Sequence, residues 1–263
     1  MKVCVIIPAA GKSQRFGSTD KLAQDLGGRP LLMRTVELFT TRPEVSSIIV
    51  AAPPDNIEEF RDKYGAALGF HGAQIVSGAK VERWETVKNA LSFVPEDCTH
   101  IAIHDAARPA ASKSLLDRIF EAGRSLDAVV PAVEITATVK RVSDKQTDVA
   151  DDEDSVLVDA ILGDAGRPTI PARQIKETVD RTGLVEVQTP QLFKADLLRQ
   201  AYAQDDLSNA TDDSMLVERL GENVFVVEGD ISNVKVTRKG DIKLVRALLG
   251  LKAPSQRPVH KRF

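Results

Sequence analysis

The residues best suited to bind a phosphate lie together in one segment, VIIPAAGKSQRFGSTDK, at positions 5–21. The segment begins as an apolar strand and continues into Ala9, Ala10 and Gly11, where small or absent side chains leave backbone N–H groups accessible. Exposed N–H groups attract anions. An ordinary surface turn with solvated lysines would have a similar composition, so this segment by itself leaves two interpretations open.

Three cations in the same loop favour a polyphosphate ligand. Lys12, Arg15 and Lys21 follow the small residues, and arginine can hold a phosphate with a planar fork where lysine acts as a point charge. Gly11 and Gly17 do not have the G-x-G-x-x-G spacing, and no Gly-Lys-Ser/Thr follows. The dinucleotide-binding and P-loop fingerprints are therefore excluded.

Composition indicates that an anion must be bound locally. The 263 residues carry 35 Lys and Arg against 38 Asp and Glu, for a net charge of −3, so no global basic field favours nucleic acid or an anionic membrane. Cys4 and Cys98 lie far apart without a CxxC motif, which argues for a reduced compartment and against structural zinc. The opening MKVCVIIPAA is too short for a signal or membrane segment. We expect a cytoplasmic protein.

Apolar runs alternate with amphipathic segments along most of the chain, and this alternation predicts an α/β fold. Five apolar runs are typical of buried strands: VCVIIPA, SSIIVAAP, AQIVSG, HIAIHDA and DAVVPAV. Four amphipathic segments are typical of helices: residues 31–39, 56–64, 84–93 and 113–124. Such an order predicts a doubly wound, mostly parallel sheet that binds ligands at the carboxyl ends of its strands. The loops after Ala10, Gly78 and His104 should then be neighbours.

The pattern changes after Arg141. The stretch VSDKQTDVADDEDS is acidic, LGDAGRPTIPAR is rich in glycine and proline, and a structured pattern resumes only near Lys176. We therefore predict a core of residues 1–141 and 187–250, an arm with an acidic insertion at 142–186, and a disordered tail at 251–263. Within the core we expect a helix at 195–204, a helix that begins near NATDDSM and a helix at 241–249, and strands at VFVVEG and VKVT.

Six short motifs occur in order: PAAGKSQRFG, HDAARP, TVKRV, QTPQLF, TDD and NVKVT. Together they resemble the 2-C-methyl-D-erythritol 4-phosphate cytidylyltransferases of the non-mevalonate isoprenoid pathway, over most of residues 3–141 and 176–250. The resemblance implies a nucleotide-diphospho-sugar transferase fold of the glycosyltransferase-A-like type and a homodimer joined through the arm. It also implies transfer of CMP from CTP to a polyol phosphate, with release of pyrophosphate.

That reaction suits the residue types present. A phosphomonoester with a second pKa near ~6 is already ionised at neutral pH, so it needs no general base, and positioned cations carry the catalysis. By resemblance, Arg15 and Lys21 contact the triphosphate, and Lys235 in NVKVT approaches the α-phosphate from the opposite side. A lysine on an edge strand is the alternative for Lys235.

The nucleotide site implied by the resemblance combines the first loop with the segment SGAKVERWET. Gly78 and Thr86 match positions that line the cytosine, and Arg83 lies beside them. A surface helix arginine pairing with Glu82 or Glu85 is the alternative for Arg83. The full predicted nucleotide set is Ala9, Ala10, Gly11, Gly78, Arg83, Thr86 and Asp105.

Asp105 in HDAARP is the carboxylate expected nearest the metal and the substrate, since it follows a strand at the ligand-binding edge; a cap on the next turn is the alternative. Mg²⁺ is expected, held chiefly by the CTP phosphates. The resemblance assigns the acceptor contacts to Arg108, Thr138, Arg181 and Thr189. Arg181 lies on the arm, so a complete site would require the dimer.

Three features depart from the family pattern and bear on the acceptor. Asp20-Lys21-Leu22 stands where Pro-Lys-Gln is usual, Thr136-Ala137-Thr138 where Thr-Asp-Thr is common, and about thirty extra residues lengthen the arm. Two alternatives therefore stay open: a ribitol 5-phosphate cytidylyltransferase, and a nucleotide-binding scaffold protein that has lost catalysis.

Overall fold

The computed structural model describes residues 1–11, 16–17, 19–149 and 170–252. The strands are β1 Val3–Pro8, β2 Val45–Ala52, β3 Ala73–Ser77, β4 His100–Ile103, β5 Ala128–Glu134, β6 Val139–Val149, β7 Ile170–Val179, β8 Val185–Val187, β9 Gln191–Lys194 and β10 Phe225–Glu228. The helices are α1 Leu31–Thr40, α2 Ile57–Phe70, α3 Arg83–Leu91, α4 Lys113–Ala122, α5 Ala195–Tyr202, α6 Ser214–Arg219 and α7 Lys239–Leu248.

The main sheet has the order β10-β5-β9-β4-β1-β2-β3. The parallel pairs are β1 with β2, β1 with β4, β2 with β3, and β5 with β10. Strand β9 lies between β4 and β5 and is antiparallel to both. The predicted doubly wound, mostly parallel sheet is confirmed. The antiparallel strand comes from QTPQLF, and it places Thr189 beside the carboxyl end of β4.

Helices cover both faces of this sheet because alternate residues of each strand point to opposite sides. On one face Val3, Val5 and Ile7 pack with α1, α2 and α4, and on the other Cys4 and Ile6 pack with α3, α5 and α6. Both faces are apolar, which explains the near-continuous hydrophobic runs of the strands.

A third apolar cluster includes two described residues of the segment 5–21 and its continuation, Phe16 and Leu22. Phe16, which is 2% exposed, and Leu22 pack there with Val236 and with residues of α7. Val236 donates its N–H to the carbonyl of Ala107 at 2.8 Å. The first loop and the NVKVT segment are thereby fixed to the same small core.

The segment VKVT is not a strand, contrary to the sequence prediction. Residues 233–237 are irregular: the N–H of Val236 bonds to Ala107, in the loop after β4, and the N–H of Val234 to Ser232. An alternating apolar pattern predicts which side chains are buried, but a ladder also needs a neighbouring strand in register.

The chain divides into two compact units, one formed by Met1–Val133 with the described residues from Val187 onward, the other by Glu134–Glu186. In the second unit β6 and β7 pair antiparallel, from Val139 opposite Val179 to Val149 opposite Ile170. The pairing includes residues 142–149, which the sequence placed in an unstructured insertion. The rest of the acidic insertion and the predicted disorder of residues 253–263 lie outside the described residues.

Among the described residues, no helix combines the length and the apolar character that a bilayer crossing requires.

Candidate active site

A small cavity at the carboxyl ends of β1 and β4 brings the predicted phosphate-binding and catalytic residues together. Its volume is about 90 Å³. Lys21, Asp105 and Lys235 come from three distant parts of the chain and meet here. The lining consists of Pro8, Ala9, Gly11, Lys21, Leu22, Asp105, Ala106, Ala107 and Lys235.

A larger cavity of about 460 Å³ adjoins it and shares Ala9, Gly11, Lys21 and Leu22 with it. The larger cavity continues between the first loop and α2, where Asp20 forms part of its wall. Together the two cavities provide a continuous lining from the carboxyl end of β1 to α2.

Asp20, one of the departures from the family pattern, ties the loop before α1 to α2. Its carboxylate accepts the N–H groups of Leu22 and Ala23 at 2.9 and 3.3 Å, and it pairs with Lys63 at 2.7 Å and accepts from Tyr64 at 3.2 Å. Burial alone would raise the pKa of Asp20, but these contacts lower it. The backbone that carries Lys21 is therefore held from both sides.

Asp105 lies at the centre of the site and is 8% exposed. Its Oδ2 is 2.9 Å from Nζ of Lys235 and 3.3 Å from Nε of Arg108, and its Oδ1 is 3.6 Å from Nε of Arg83. Burial would raise the pKa of this carboxyl, but the three cations together hold it well below its usual value. Asp105 is thus a buried anion stabilised by its partners, and the turn cap that the sequence left open does not describe it.

His104 and Thr189 fix the backbone on which Asp105 sits. The N–H of Asp105 donates to Oγ1 of Thr189 at 3.0 Å, and His104 contacts the Arg108 carbonyl through Nε2 at 3.0 Å and Thr189 Oγ1 through Nδ1 at 3.2 Å. A carbonyl only accepts, so Nε2 carries the proton and Nδ1 accepts from the threonine hydroxyl. Burial lowers the pKa of His104 to about 4, which keeps the ring neutral. His104 therefore packs and hydrogen-bonds beside Asp105.

Arg108 connects the HDAARP segment to the NVKVT segment. It is 6% exposed, and its Nη1 donates to the carbonyl of Asn233 at 2.6 Å across 125 positions of the sequence. Asn233 is fully buried and donates to the carbonyl of Thr189 at 2.8 Å. The three segments that carry Arg108, Thr189 and Lys235 are therefore linked directly by hydrogen bonds.

The predicted base-binding residues converge where β1, β3 and α3 meet. A Cβ at Gly78 would lie 2.8 Å from Cβ of Ala10, 2.9 Å from Cγ2 of Thr86 and 3.0 Å from the carbonyl of Ala52, so glycine is required by this close approach. Thr86 is 3% exposed, and its hydroxyl accepts the N–H of Ala79 at 3.1 Å. Ala10, Gly78 and Thr86 are thus brought together, next to the cavities that Ala9 and Gly11 line.

Arg83, at the start of α3, faces neither of its acidic helix neighbours. Its Nη2 lies 2.7 Å from Oδ2 of Asp213, which is fully buried, while Nε faces Asp105. Tyr202 donates to the other oxygen of Asp213 at 2.6 Å. The TDD motif had marked Asp213 in the sequence, but no local signal marked Tyr202, because its apolar helix position is that of any core tyrosine.

The remaining predicted residues lie elsewhere. Arg15 is outside the described residues. Thr138 and Arg181 belong to the second unit, where both are exposed, and their roles stay predictions. Trp84, for which the sequence predicted no role, is partly buried and packs against the apolar cluster that contains Cys4, Ile6 and Val87.

The sheet, with its cavity at the carboxyl ends of β1 and β4, is that of a nucleotidyltransferase-like protein. The sequence profile of the family described as IspD, 2-C-methyl-D-erythritol 4-phosphate cytidylyltransferase, matches residues 3–161 and 162–251. The chain belongs to this family, and it is therefore a member of the nucleotidyltransferases.

Individual relatives and solved structures agree with this family assignment. A 2-C-methyl-D-erythritol 4-phosphate cytidylyltransferase of Frankia casuarinae is 38% identical over 252 residues, covering 94% of this chain and 81% of the relative. A crystal structure of 4-diphosphocytidyl-2C-methyl-D-erythritol synthase is 30% identical with a TM-score of 0.71, covering 94% and 98% of the two chains. The cytidylyltransferase structure from Thermus thermophilus is 28% identical with a TM-score of 0.68, covering 95% and 100%. These descriptions do not favour the ribitol phosphate or scaffold alternatives.

Proposed function

We propose that this chain transfers CMP from CTP to 2-C-methyl-D-erythritol 4-phosphate, giving 4-diphosphocytidyl-2-C-methyl-D-erythritol and pyrophosphate. The observation that carries the proposal is the cavity at the carboxyl ends of β1 and β4 that Lys21, Asp105 and Lys235 line together. The relatives of this chain are described as enzymes of this reaction.

The proposed mechanism relies on charge and position. The acceptor phosphate attacks the α-phosphorus of CTP, and negative charge grows on the α-phosphate and on the leaving pyrophosphate. Arg15, Lys21 and Lys235 lower the free energy of that transition state. Ala10 and Gly11 offer backbone N–H groups to the triphosphate, whereas the N–H of Ala9 is engaged by the Ala51 carbonyl at 2.8 Å. His104 takes no part in proton transfer, because burial keeps it neutral and both ring nitrogens are engaged.

Asp105 supports the proposed role of Lys235 directly. Their 2.9 Å ion pair holds a lysine side chain that is 41% exposed at the cavity wall, so a flexible lysine is already positioned before the nucleotide arrives. Preorganised charge of this kind costs no reorganisation during the reaction.

We propose that Mg²⁺ enters with CTP and is held mainly by its phosphates. Among the described residues, no three His, Cys, Asp or Glu side chains cluster as a protein metal site would. Mg²⁺ commonly binds one or two carboxylates together with substrate phosphates, and Asp105 is the carboxylate in the lining of the smaller cavity. The residues present therefore fit a phosphate-borne ion, which would neutralise phosphate charge. Asp105 would be its protein ligand by exchanging one of its contacts with Arg83, Arg108 or Lys235 for the ion.

For the base, we propose that Ala10, Gly78 and Thr86 form a close-packed pocket that admits a pyrimidine. Their mutual approach requires glycine at position 78, so the backbone there lies close to Ala10 and can form the floor of a shallow pocket. A purine is larger, so steric exclusion supports selection of CTP over ATP and GTP.

We further propose that the acceptor is bound by Arg108, Thr138, Arg181 and Thr189 in a cytoplasmic homodimer. Arg181 and Thr138 lie on the unit that the resemblance assigns to dimerisation, and arginine offers the acceptor phosphate a bidentate contact. Cys4 and Cys98 are buried free thiols, which is consistent with a reducing compartment.

Pyrophosphate release measured with four nucleoside triphosphates and two acceptors tests the proposal. We expect kcat/KM for CTP to exceed that for ATP and GTP by at least ~100-fold, and 2-C-methyl-D-erythritol 4-phosphate to be preferred over ribitol 5-phosphate. Equal use of a purine triphosphate would contradict the base assignment, and preference for ribitol 5-phosphate would contradict the acceptor. Absence of any acceptor-dependent release would support the scaffold alternative.

A further inference from the structure

Asp105 has a partner whose position depends on residues outside the cavity. Arg83 is 28% exposed and places its guanidinium between two carboxylates, Asp105 at 3.6 Å and Asp213 at 2.7 Å. Asp213 is fully buried and does not line either cavity, so it cannot touch a substrate there. The contact of Asp213 with the cluster around Asp105 is made through Arg83.

The geometry points to Asp213 and Tyr202 as positioning residues that hold Arg83, and through it Asp105, in the arrangement that orients Lys235 for the proposed transfer reaction. The kinetic test of this inference rests on the proposed function. Its structural test rests only on the contacts within this chain.

The distances explain how such support works. The shorter contact of Arg83 is with Asp213, so most of its attraction is directed away from Asp105. Asp105 therefore keeps Oδ2 for Lys235 at 2.9 Å and for Arg108 at 3.3 Å. Without the charge on Asp213, the guanidinium would have Asp105 as its remaining partner and would move toward it, and the carboxylate would turn from Lys235.

Tyr202 fixes the orientation of Asp213. Its hydroxyl, at the end of α5, donates to Oδ1 at 2.6 Å, which leaves Oδ2 directed at Arg83. The tyrosine is 3% exposed, and burial together with the charge of Asp213 raises its pKa well above the usual value. It therefore remains a hydrogen-bond donor at any pH at which the enzyme works.

The balance of charge gives a reason for a second acid at this place. Arg83, Arg108 and Lys235 surround Asp105, and with Asp213 the cluster has three cations and two anions. One net positive charge remains for the incoming phosphates, while each cation still has a carboxylate nearby. Without Asp213, Arg83 would have only Asp105 as an anionic partner, and it would share that carboxylate with Arg108 and Lys235.

The test compares Asp213→Asn with the double variant Arg83→Gln/Asp213→Asn. The single variant leaves Arg83 without its nearest anion, so we expect a lower melting temperature and a kcat at least ~10-fold lower, with KM for CTP changed less than ~3-fold. In the double variant no buried charge is left unpaired, so the melting temperature should recover, while kcat stays low because Asp105 has lost the contact that Arg83 makes with its Oδ1. Recovery of kcat along with stability would overturn the inference, because the pair would then serve only the fold.

Two further variants sharpen the result. Tyr202→Phe should reproduce part of the kcat loss, since Asp213 then lacks its orienting donor. Asp212→Asn is the matched control: Asp212 lies in the same loop but bonds to Gln191, Ser214 and the N–H of Met215, so this variant should lower stability and leave kcat unchanged. An equal kcat loss in Asp212→Asn would show that disturbance of the loop alone is sufficient and would overturn the inference.

A crystal structure of the single variant Asp213→Asn, which keeps the Arg83 guanidinium, provides a readout that does not depend on the reaction. We expect the carboxylate of Asp105 to rotate and its contact with Lys235 to lengthen. An unchanged distance between Asp105 and Lys235 would overturn the inference, whether or not the wild-type chain is active. A wild-type chain that released no pyrophosphate would contradict the proposed function instead.

Discussion

Replacing Gly78 by alanine tests the base pocket more directly than any charge substitution. The added methyl would meet Ala10 at 2.8 Å, Thr86 at 2.9 Å and the Ala52 carbonyl at 3.0 Å, whereas ordinary carbon contacts begin near ~3.5 Å. The first loop or α3 must therefore move by a few tenths of an ångström. Both elements belong to the proposed CTP site.

Overpacking of this kind costs about 1–3 kcal/mol. Because about 1.4 kcal/mol corresponds to a tenfold change, and part of the strain is relieved by moving Ala10, we expect KM for CTP to rise about tenfold. KM for the acceptor should change less than ~2-fold. The melting temperature should fall by several degrees, at roughly 2–4 °C per kcal/mol for a chain of this size.

Steady-state pyrophosphate release, with each substrate varied in turn, and thermal unfolding measure these effects. Gly123→Ala is the control for instability, because its Cβ would clash with Leu192, a core residue outside both cavities; it should lower the melting temperature without raising KM for CTP. Gly69→Ala, with open space around it in α2, should leave both unchanged or raise stability slightly. A Gly78→Ala enzyme that is less stable but has wild-type KM for CTP would refute the placement of the base.

Three other predictions concern charged and titratable residues. Lys235→Met and Arg15→Ala should each lower kcat at least ~100-fold, as loss of a transition-state charge contact implies; near-wild-type turnover would mean that a solvated charge was taken as catalytic. Arg181→Ala should raise KM for the acceptor far more than KM for CTP. Mixing the Arg181→Ala chain with a Lys21→Ala chain should restore activity in heterodimers. If heterodimers form without recovery of activity, Arg181 acts on the site of its own subunit or on no site. His104 has a pKa of about 4 in the folded chain against about 6.5 when unfolded, so the unfolded state binds more protons between these values. The free energy of unfolding should therefore fall by up to roughly 3 kcal/mol as pH decreases from 6.5 to 4, and chemical denaturation should show a smaller decrease in His104→Gln.

Local sequence patterns determined the elements and their order. The alternation of apolar runs and amphipathic segments predicted β1 to β5 and α1 to α4, because strand and helix periodicities are properties of a few neighbouring residues. Small residues followed by cations likewise predicted a phosphate site at positions 9–21, and this stays a prediction. The order of six motifs was enough to indicate the family.

Contacts between distant segments were decided by the tertiary structure alone. The antiparallel insertion of β9 between β4 and β5 brought Thr189 to Asp105, and the irregular path of residues 233–237 brought Lys235 to the same carboxylate. Arg83 illustrates the difference most clearly. Its helix neighbours Glu82 and Glu85 were the partners that spacing suggested, but both serve to cap α3. The guanidinium instead pairs with Asp213, 130 positions later: side-chain spacing encodes contacts within one helix, whereas the approach of two helices depends on how the whole sheet is packed.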